Sequence, residues 1–131
     1  MSCKSYSGKD IRVAKKILIV DDDRLSITLI RFALKEQMYD VATAEDGLQA
    51  LDAVKTFKPD LIVLDVQMPK MSGFEFMYEL KNIPGGSAIP IIMLTANDNM
   101  QDIFFAEGVK GYFVKPIDPS KLEAKIRSCL G

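Results

Sequence analysis

Ile17-Leu18-Ile19-Val20-Asp21-Asp22-Asp23 decides the fold. Four apolar residues, three of them β-branched, run directly into three carboxylates. A half-buried strand alternates apolar with polar residues, whereas one that is apolar at every position has to be covered on both faces, as in a parallel sheet. The same pattern returns in Leu61-Ile62-Val63-Leu64 before Asp65, and in Ile91-Ile92-Met93-Leu94 before Thr95. Val41-Ala42-Thr43 and Tyr112-Phe113-Val114 are two weaker strand candidates, the second running into Lys115-Pro116.

Helical patterns lie between these runs. Leu25, Leu29 and Phe32 recur at i, i+4, i+7, the spacing of an apolar helical stripe. Ala50, Leu51, Val54 and Phe57 form a second stripe, and Met77 and Leu80 anchor a third segment after Ser72-Gly73. A fourth segment spans about residues 99–107 and stops at Gly108, a residue suited to closing a helix. The last begins with Asp118 as N-cap and Pro119 in the first turn, with Leu122, Ile126 and Cys129 on one face. Pro84-Gly85-Gly86-Ser87 reads as a solvated loop before the fourth strand. The order is five β-α units. Right-handed crossovers turn that order into an α/β fold, a doubly wound five-stranded parallel sheet with five helices on both faces.

The 131 residues fit one domain, with residues 1–14 as a polar lead-in and 15–131 as the folded unit. A net charge of −1 excludes a whole-protein field for gripping nucleic acid, and no apolar run reaches the roughly 18–20 residues of a membrane span. The N-terminus carries Lys4, Lys9, Arg12, Lys15 and Lys16 but no apolar stretch before the first strand, unlike a secretory signal. The chain has no His, which excludes a Cys/His zinc site and a histidine base. Cys3 and Cys129 are expected to be free thiols in a reducing compartment, hence a cytoplasmic protein.

In a doubly wound sheet the functional crevice lies beyond the carboxyl ends of the strands. Asp21-Asp22-Asp23, Asp65, Thr95 and Lys115 all fall on that edge. Unit charges 4 Å apart repel by about 4 kcal/mol at an effective dielectric near 20. Clustered carboxylates must therefore take a proton, move apart or hold a cation, and one lysine does not balance three of them. An oxygen-only site suits Mg²⁺, which favours one or two carboxylates together with a phosphoryl oxygen. A carboxylate can attack phosphorus to give an acyl phosphate. Asp65, alone at its strand end, suits the nucleophile; Asp21 and Asp22 suit metal ligation; Lys115 and the Thr95 hydroxyl can each cover a phosphoryl oxygen. Asp23 also reads as a helix N-cap, and the acidic pair could instead be shifted by one residue to include it.

The segments ILIVDDD (17–23), AEDGLQAL (44–51), PDLIVLDVQMPKMSGFE (59–75), PIIMLTA (90–96) and GVKGYFVKP (108–116) resemble the receiver domain of two-component response regulators, most closely the stand-alone chemotaxis kind with a flavodoxin-like fold. The resemblance implies that Asp65 accepts a phosphoryl group from a phosphohistidine on a sensor histidine kinase or a histidine phosphotransfer protein. It implies that Asp21, Asp22, Asp65 and the backbone carbonyl of Gln67 hold Mg²⁺. It implies that Lys115 contacts the phosphoryl group, that Thr95 and Tyr112 form the switch, and that the peptide before Pro116 is cis. Gly73 matches the small residue of the loop after Met68-Pro69, and Gln67 and Asn97 occupy positions that modulate dephosphorylation. The output implied is an effector protein docked on the face of the fourth helix, fifth strand and fifth helix, with no direct contact to nucleic acid or membrane. Ile103-Phe104-Phe105 in the fourth segment reads as core packing or as part of a docking patch, and pairing of two copies through the switch face is left open. The domain would be a signalling module and not a conventional enzyme.

Three other readings compete. A haloacid-dehalogenase-type phosphohydrolase would use Asp21-x-Asp23 as its nucleophile motif, but no later acidic motif follows Lys115 except Asp118, and there is no cap insertion. A nucleotide or flavin module would need a Gly-rich phosphate cradle after the first strand, where Asp-Asp-Asp-Arg stands instead. A pseudo-receiver would keep the fold for interaction alone.

Overall fold

The computed structural model describes residues 14–66, 70–96 and 108–130. Each apolar run becomes a strand: β1 (Lys16–Val20), β2 (Asp40–Ala44), β3 (Leu61–Asp65), β4 (Ile91–Thr95) and β5 (Gly111–Val114). They form one sheet in the order β2-β1-β3-β4-β5, with every neighbouring pair parallel. Residues 17–20, 61–64 and 92–94 are at 0% exposure, which is why the central strands are apolar at every position.

The helices among the described residues are α1 (Arg24–Glu36), α2 (Gly47–Phe57), α3 (Gly73–Leu80) and α4 (Pro119–Leu130). Successive strand side chains point to opposite faces, so the sheet feeds two separate cores. Leu18, Val20, Ile62, Leu64 and Met93 pack with Ala50 and Val54 of α2 and with Phe76, Met77 and Leu80 of α3. Ile17, Ile19, Leu61, Val63, Ile92 and Leu94 pack with Ile30 and Leu34 of α1 and with Leu122 and Ile126 of α4. This is the doubly wound arrangement. The helix expected over residues 99–107, with Ile103-Phe104-Phe105, lies outside the described residues.

The stripe read from the spacing in α1 faces outward. Leu25, Leu29 and Phe32 do not face the core: they are 68%, 53% and 66% exposed, while Ile27, Ile30 and Leu34 are buried. At about 100° per residue the two rows lie on opposite sides of α1, and each has helical spacing. Periodicity finds the helix here but cannot choose between two apolar stripes. The segment 84–87 is also more ordered than a solvated loop, since Gly86–Ala88 form a 3₁₀ turn and Gly86 is buried.

The helix starts are fixed by side chains at the functional edge of the sheet. Asp23 caps α1, accepting from the Leu25 N–H at 3.1 Å and the Ser26 hydroxyl at 2.9 Å, and these bonds lower its carboxyl below the ordinary value. Ser72 and Glu75 form a reciprocal capping box on α3. Asp118 accepts from the Ser120 N–H at 2.9 Å at the start of α4.

Asp46 caps α2 through the Gln49 N–H at 2.8 Å, and that bond, with Lys70 nearby, holds its carboxyl below the usual range against the opposing effect of burial. A depressed folded pKa stabilises above the unfolded value near 3.9 and is lost as pH falls through the folded value. Between pH 5 and pH 2 the wild type should therefore lose more stability than Asp46→Asn, which still caps but carries no charge. Urea midpoints against pH test this, and parallel curves would contradict it.

Candidate functional site

The topology brings the strand ends together. β1 and β3 are neighbours where the chain order reverses, so Asp21, just past β1, lies beside Asp65, the last residue of β3. Asp21 is fully buried and held from two sides: its own N–H donates to the Ala44 carbonyl at 3.1 Å, and its Oδ1 accepts from the Asp23 N–H at 2.9 Å. Asp65 is 5% and Thr95 2% exposed, whereas Asp22 faces solvent. Lys115 follows β5, donates its N–H to the Thr95 carbonyl at 2.7 Å, and precedes a cis peptide to Pro116.

The Lys115 ammonium joins the pocket. Its Nζ is 2.9 Å from Asp21 Oδ2 and 3.4 Å from Asp65 Oδ2, donating a hydrogen bond to the latter. Burial works against its charge, but the Asp21 and Asp65 carboxylates outweigh burial and raise its pKa above the ordinary lysine value. It is a fixed cation at neutral pH.

Asp21, Asp22 and Asp65 each place one carboxylate oxygen within 4.8 Å of the others. One ammonium against three carboxylates leaves the pocket negative. Asp21 Oδ2 is buried, with the Lys115 ammonium 2.9 Å away but no hydrogen bond of good geometry. A buried oxygen with an uncommitted lone pair, in an oxygen-only donor set open to water through Asp22, fits a hard divalent ion such as Mg²⁺. Asp23 is committed to the cap of α1, and Asp21 and Asp22 share the cluster with Asp65.

Thr95 ends β4 in register with Val114, one residue before Lys115. By strand alternation it points to the same sheet face as Ile91, Met93 and the half-buried Tyr112. The two switch candidates thus share a face on adjacent strands. Gln67, Met68, Pro69 and Asn97 lie outside the described residues. Sequence reading did not single out Asp46 and Lys70, which form an ion pair at 3.5 Å beside the loop that follows Asp65. The signal for Asp46 was available as an Asp preceding a helical stripe.

A buried carboxylate, two further acidic residues converging on it, a lysine and a hydroxyl thus meet at one edge of the sheet. The family model described as the response regulator receiver domain matches residues 17–127, and the chain belongs to that family. The chain is 42% identical over 118 residues to the alkaline phosphatase synthesis transcriptional regulatory protein PhoP of Bacillus subtilis (strain 168), covering 88% of this chain and 48% of PhoP. It is 36% identical over 118 residues to the DNA-binding response regulator MtrA of Mycobacterium tuberculosis (strain H37Rv), covering 88% of this chain and 50% of MtrA. The chain spans about half the length of the curated relatives it matches. The chemotaxis response regulator CheY4 of Vibrio cholerae superposes with a TM-score of 0.81 at 32% identity, covering 89% of this chain and 99% of that one. A response regulator structure from Chloroflexus aurantiacus J-10-fl gives 0.83 at 29% identity, with 90% and 98% covered. The chain is a receiver domain of two-component response regulators.

Proposed function

We propose that Asp65 accepts a phosphoryl group from the phosphohistidine of a sensor histidine kinase or a histidine phosphotransfer protein, and that the change in charge switches a partner-binding face. The observation that supports this most is the Lys115 ammonium held at 2.9 Å from Asp21 and 3.4 Å from Asp65 in a pocket with three converging carboxylates. In the transfer, a carboxylate oxygen of Asp65 forms the new P–O bond while the P–N bond to the donor imidazole breaks. The electron pair of that bond leaves with the imidazole, which takes up a proton. Lys115 neutralises one phosphoryl oxygen and the Thr95 hydroxyl donates to another. Mg²⁺, when bound, neutralises further charge on the transferring group; Asp21, Asp22, Asp65 and the Gln67 carbonyl are the residues that would hold it. The domain promotes only its own phosphorylation and dephosphorylation.

An added phosphoryl group brings about −1.5 to −2 charges, and Thr95 moving toward it frees space on the face it shares with Tyr112. Inward movement of Tyr112 would then carry the change to β5 and its flanking helices, where an effector protein docks. Residues 15–131 make up the receiver in this reading, preceded by a lead-in, in a cytoplasmic protein. PhoP and MtrA extend well beyond the match, so the transcriptional and DNA-binding roles in their names are not carried over.

The exposed row Leu25, Leu29 and Phe32 is the surface proposed to seat the phosphodonor. Leu25 and Leu29 line a groove of about 380 Å³ that also includes Lys115, the residue paired with Asp65, so a partner helix laid there would lie beside the carboxylate pocket. No helix among the described residues is long and apolar enough to cross a membrane, and a contiguous exposed apolar row of this kind marks an interaction site.

Acetyl phosphate with Mg²⁺ should label the wild type and leave Asp65→Asn unlabelled. Equal labelling of the two proteins would remove Asp65 from the reaction.

A further inference from the structure

The corner between β2 and α2 touches the loop that carries the chain away from Asp65. That loop is closed at its base, where the Gly73 N–H donates to the Val66 carbonyl at 3.0 Å. Its outer part meets Asp46 and Gly47. The Asp46 side chain is only 7% exposed; Oδ1 caps α2, and Oδ2 lies 3.5 Å from Lys70 Nζ. Lys70 adopts φ +70°, a conformation a lysine rarely takes without tertiary support. The next residue, Met71, packs so closely on Gly47 that a Cβ there would sit 2.6 Å from Met71 Cβ. A helix cap alone needs neither the lysine nor the glycine, since Asn, Ser or Thr would cap as well. Charge, backbone conformation and close packing converge on residues 70–71.

We infer that Asp46, Gly47 and Lys70 form a clamp that holds residues 70–71, between Asp65 and α3, making them positioning residues for the metal and phosphoryl site. This rests on the reading of that site as one that binds Mg²⁺. Asp46 is not among the three clustered carboxylates; it acts through its ion pair with Lys70. The AEDG stretch thus ties α2 to the acceptor loop as well as starting a helix.

The two charges provide a test of sign. If Asp46 and Lys70 acted only through their field, Asp46→Asn would weaken Mg²⁺ binding and Lys70→Met would tighten it. The clamp predicts that both weaken it, by about two- to fivefold, the range a partly exposed ion pair can carry. It also predicts that Asp46→Asn/Lys70→Met is no worse than either single variant, because each removes the same contact. Calorimetric Mg²⁺ titration of the full chain reads the affinity without any phosphodonor, and acetyl-phosphate labelling at subsaturating Mg²⁺ should fall in parallel and recover at saturating Mg²⁺. Tighter or unchanged Mg²⁺ binding in Lys70→Met would overturn the clamp, provided the wild type binds and Asp22→Asn does not. A wild type that binds no Mg²⁺ would overturn both the clamp and the reading beneath it. Lys70 is exposed, so Lys70→Met decides the matter even if Asp46→Asn folds poorly.

Discussion

Lys115→Met is expected to cut labelling by acetyl phosphate by about a hundredfold, the scale on which removal of one fixed charge-stabilising group slows a transition state. The same change should tighten Mg²⁺ binding, because the ammonium now occupies the space between Asp21 Oδ2 and Asp65 Oδ2, where it competes for the same oxygens. Without metal the variant leaves three converging carboxylates with no internal cation. Removing one partner of a buried ion pair costs about 3–5 kcal/mol, and exposed Asp22 opens this pocket to water, so a loss of about 3 kcal/mol is expected at low Mg²⁺. Millimolar Mg²⁺ should restore much of that stability. Urea unfolding of both proteins with and without Mg²⁺ checks all three signs. Unchanged stability at low Mg²⁺ together with weaker metal binding would contradict the position of Lys115 among the carboxylates.

The second large effect belongs to the outer face of α1. Leu29→Ser/Phe32→Ser should reduce phosphoryl transfer from a cognate kinase or phosphotransfer protein by tenfold or more, since each tenfold in affinity corresponds to about 1.4 kcal/mol and two apolar anchors are removed. Labelling by acetyl phosphate should be unchanged, because neither side chain lies in the carboxylate cluster. Stability should move little, as both residues are more than half exposed. Leu34→Ala on the opposite side of α1 should behave in reverse, costing about 2–5 kcal/mol without selective loss of kinase transfer. Equal loss with both phosphodonors would indicate damage to the site and count against a docking role for this face.

α1 also marks where the sequence ceases to be informative. Its start was legible from Asp23, and its existence from an apolar row at helical spacing. Which row faces inward depends on how the helix lands on the sheet, and Leu25-Leu29-Phe32 and Ile27-Ile30-Leu34 are equally apolar. The central strands carried no such ambiguity, since Ile17-Leu18-Ile19-Val20 and Leu61-Ile62-Val63-Leu64 are buried on both faces and any register leaves them in the core. That certainty extends to the site, because a residue following a parallel strand must emerge at its carboxyl end; Asp21, Asp65, Thr95 and Lys115 were placed on one edge for that reason. Adjacent Asp22 and Asp23 are chemically identical in sequence, and only the coordinates show that the Leu25 N–H and Ser26 hydroxyl bond to Asp23. The Asp46–Lys70 pair was hidden because the contact depends on the path of a loop and on the left-handed backbone of Lys70.

The central claim is that the phosphoryl group enters on the carboxylate at the end of β3. An acyl phosphate reduced by borohydride leaves a homoserine in place of the acceptor aspartate, so mass spectrometry of peptides from acetyl-phosphate-treated, Mg²⁺-supplemented protein names the residue directly. Homoserine at position 65, absent from Asp65→Asn and strongly reduced in Lys115→Met, is the predicted result. Homoserine at position 21, as a dehalogenase-type nucleophile would give, or at neither position, would contradict the account.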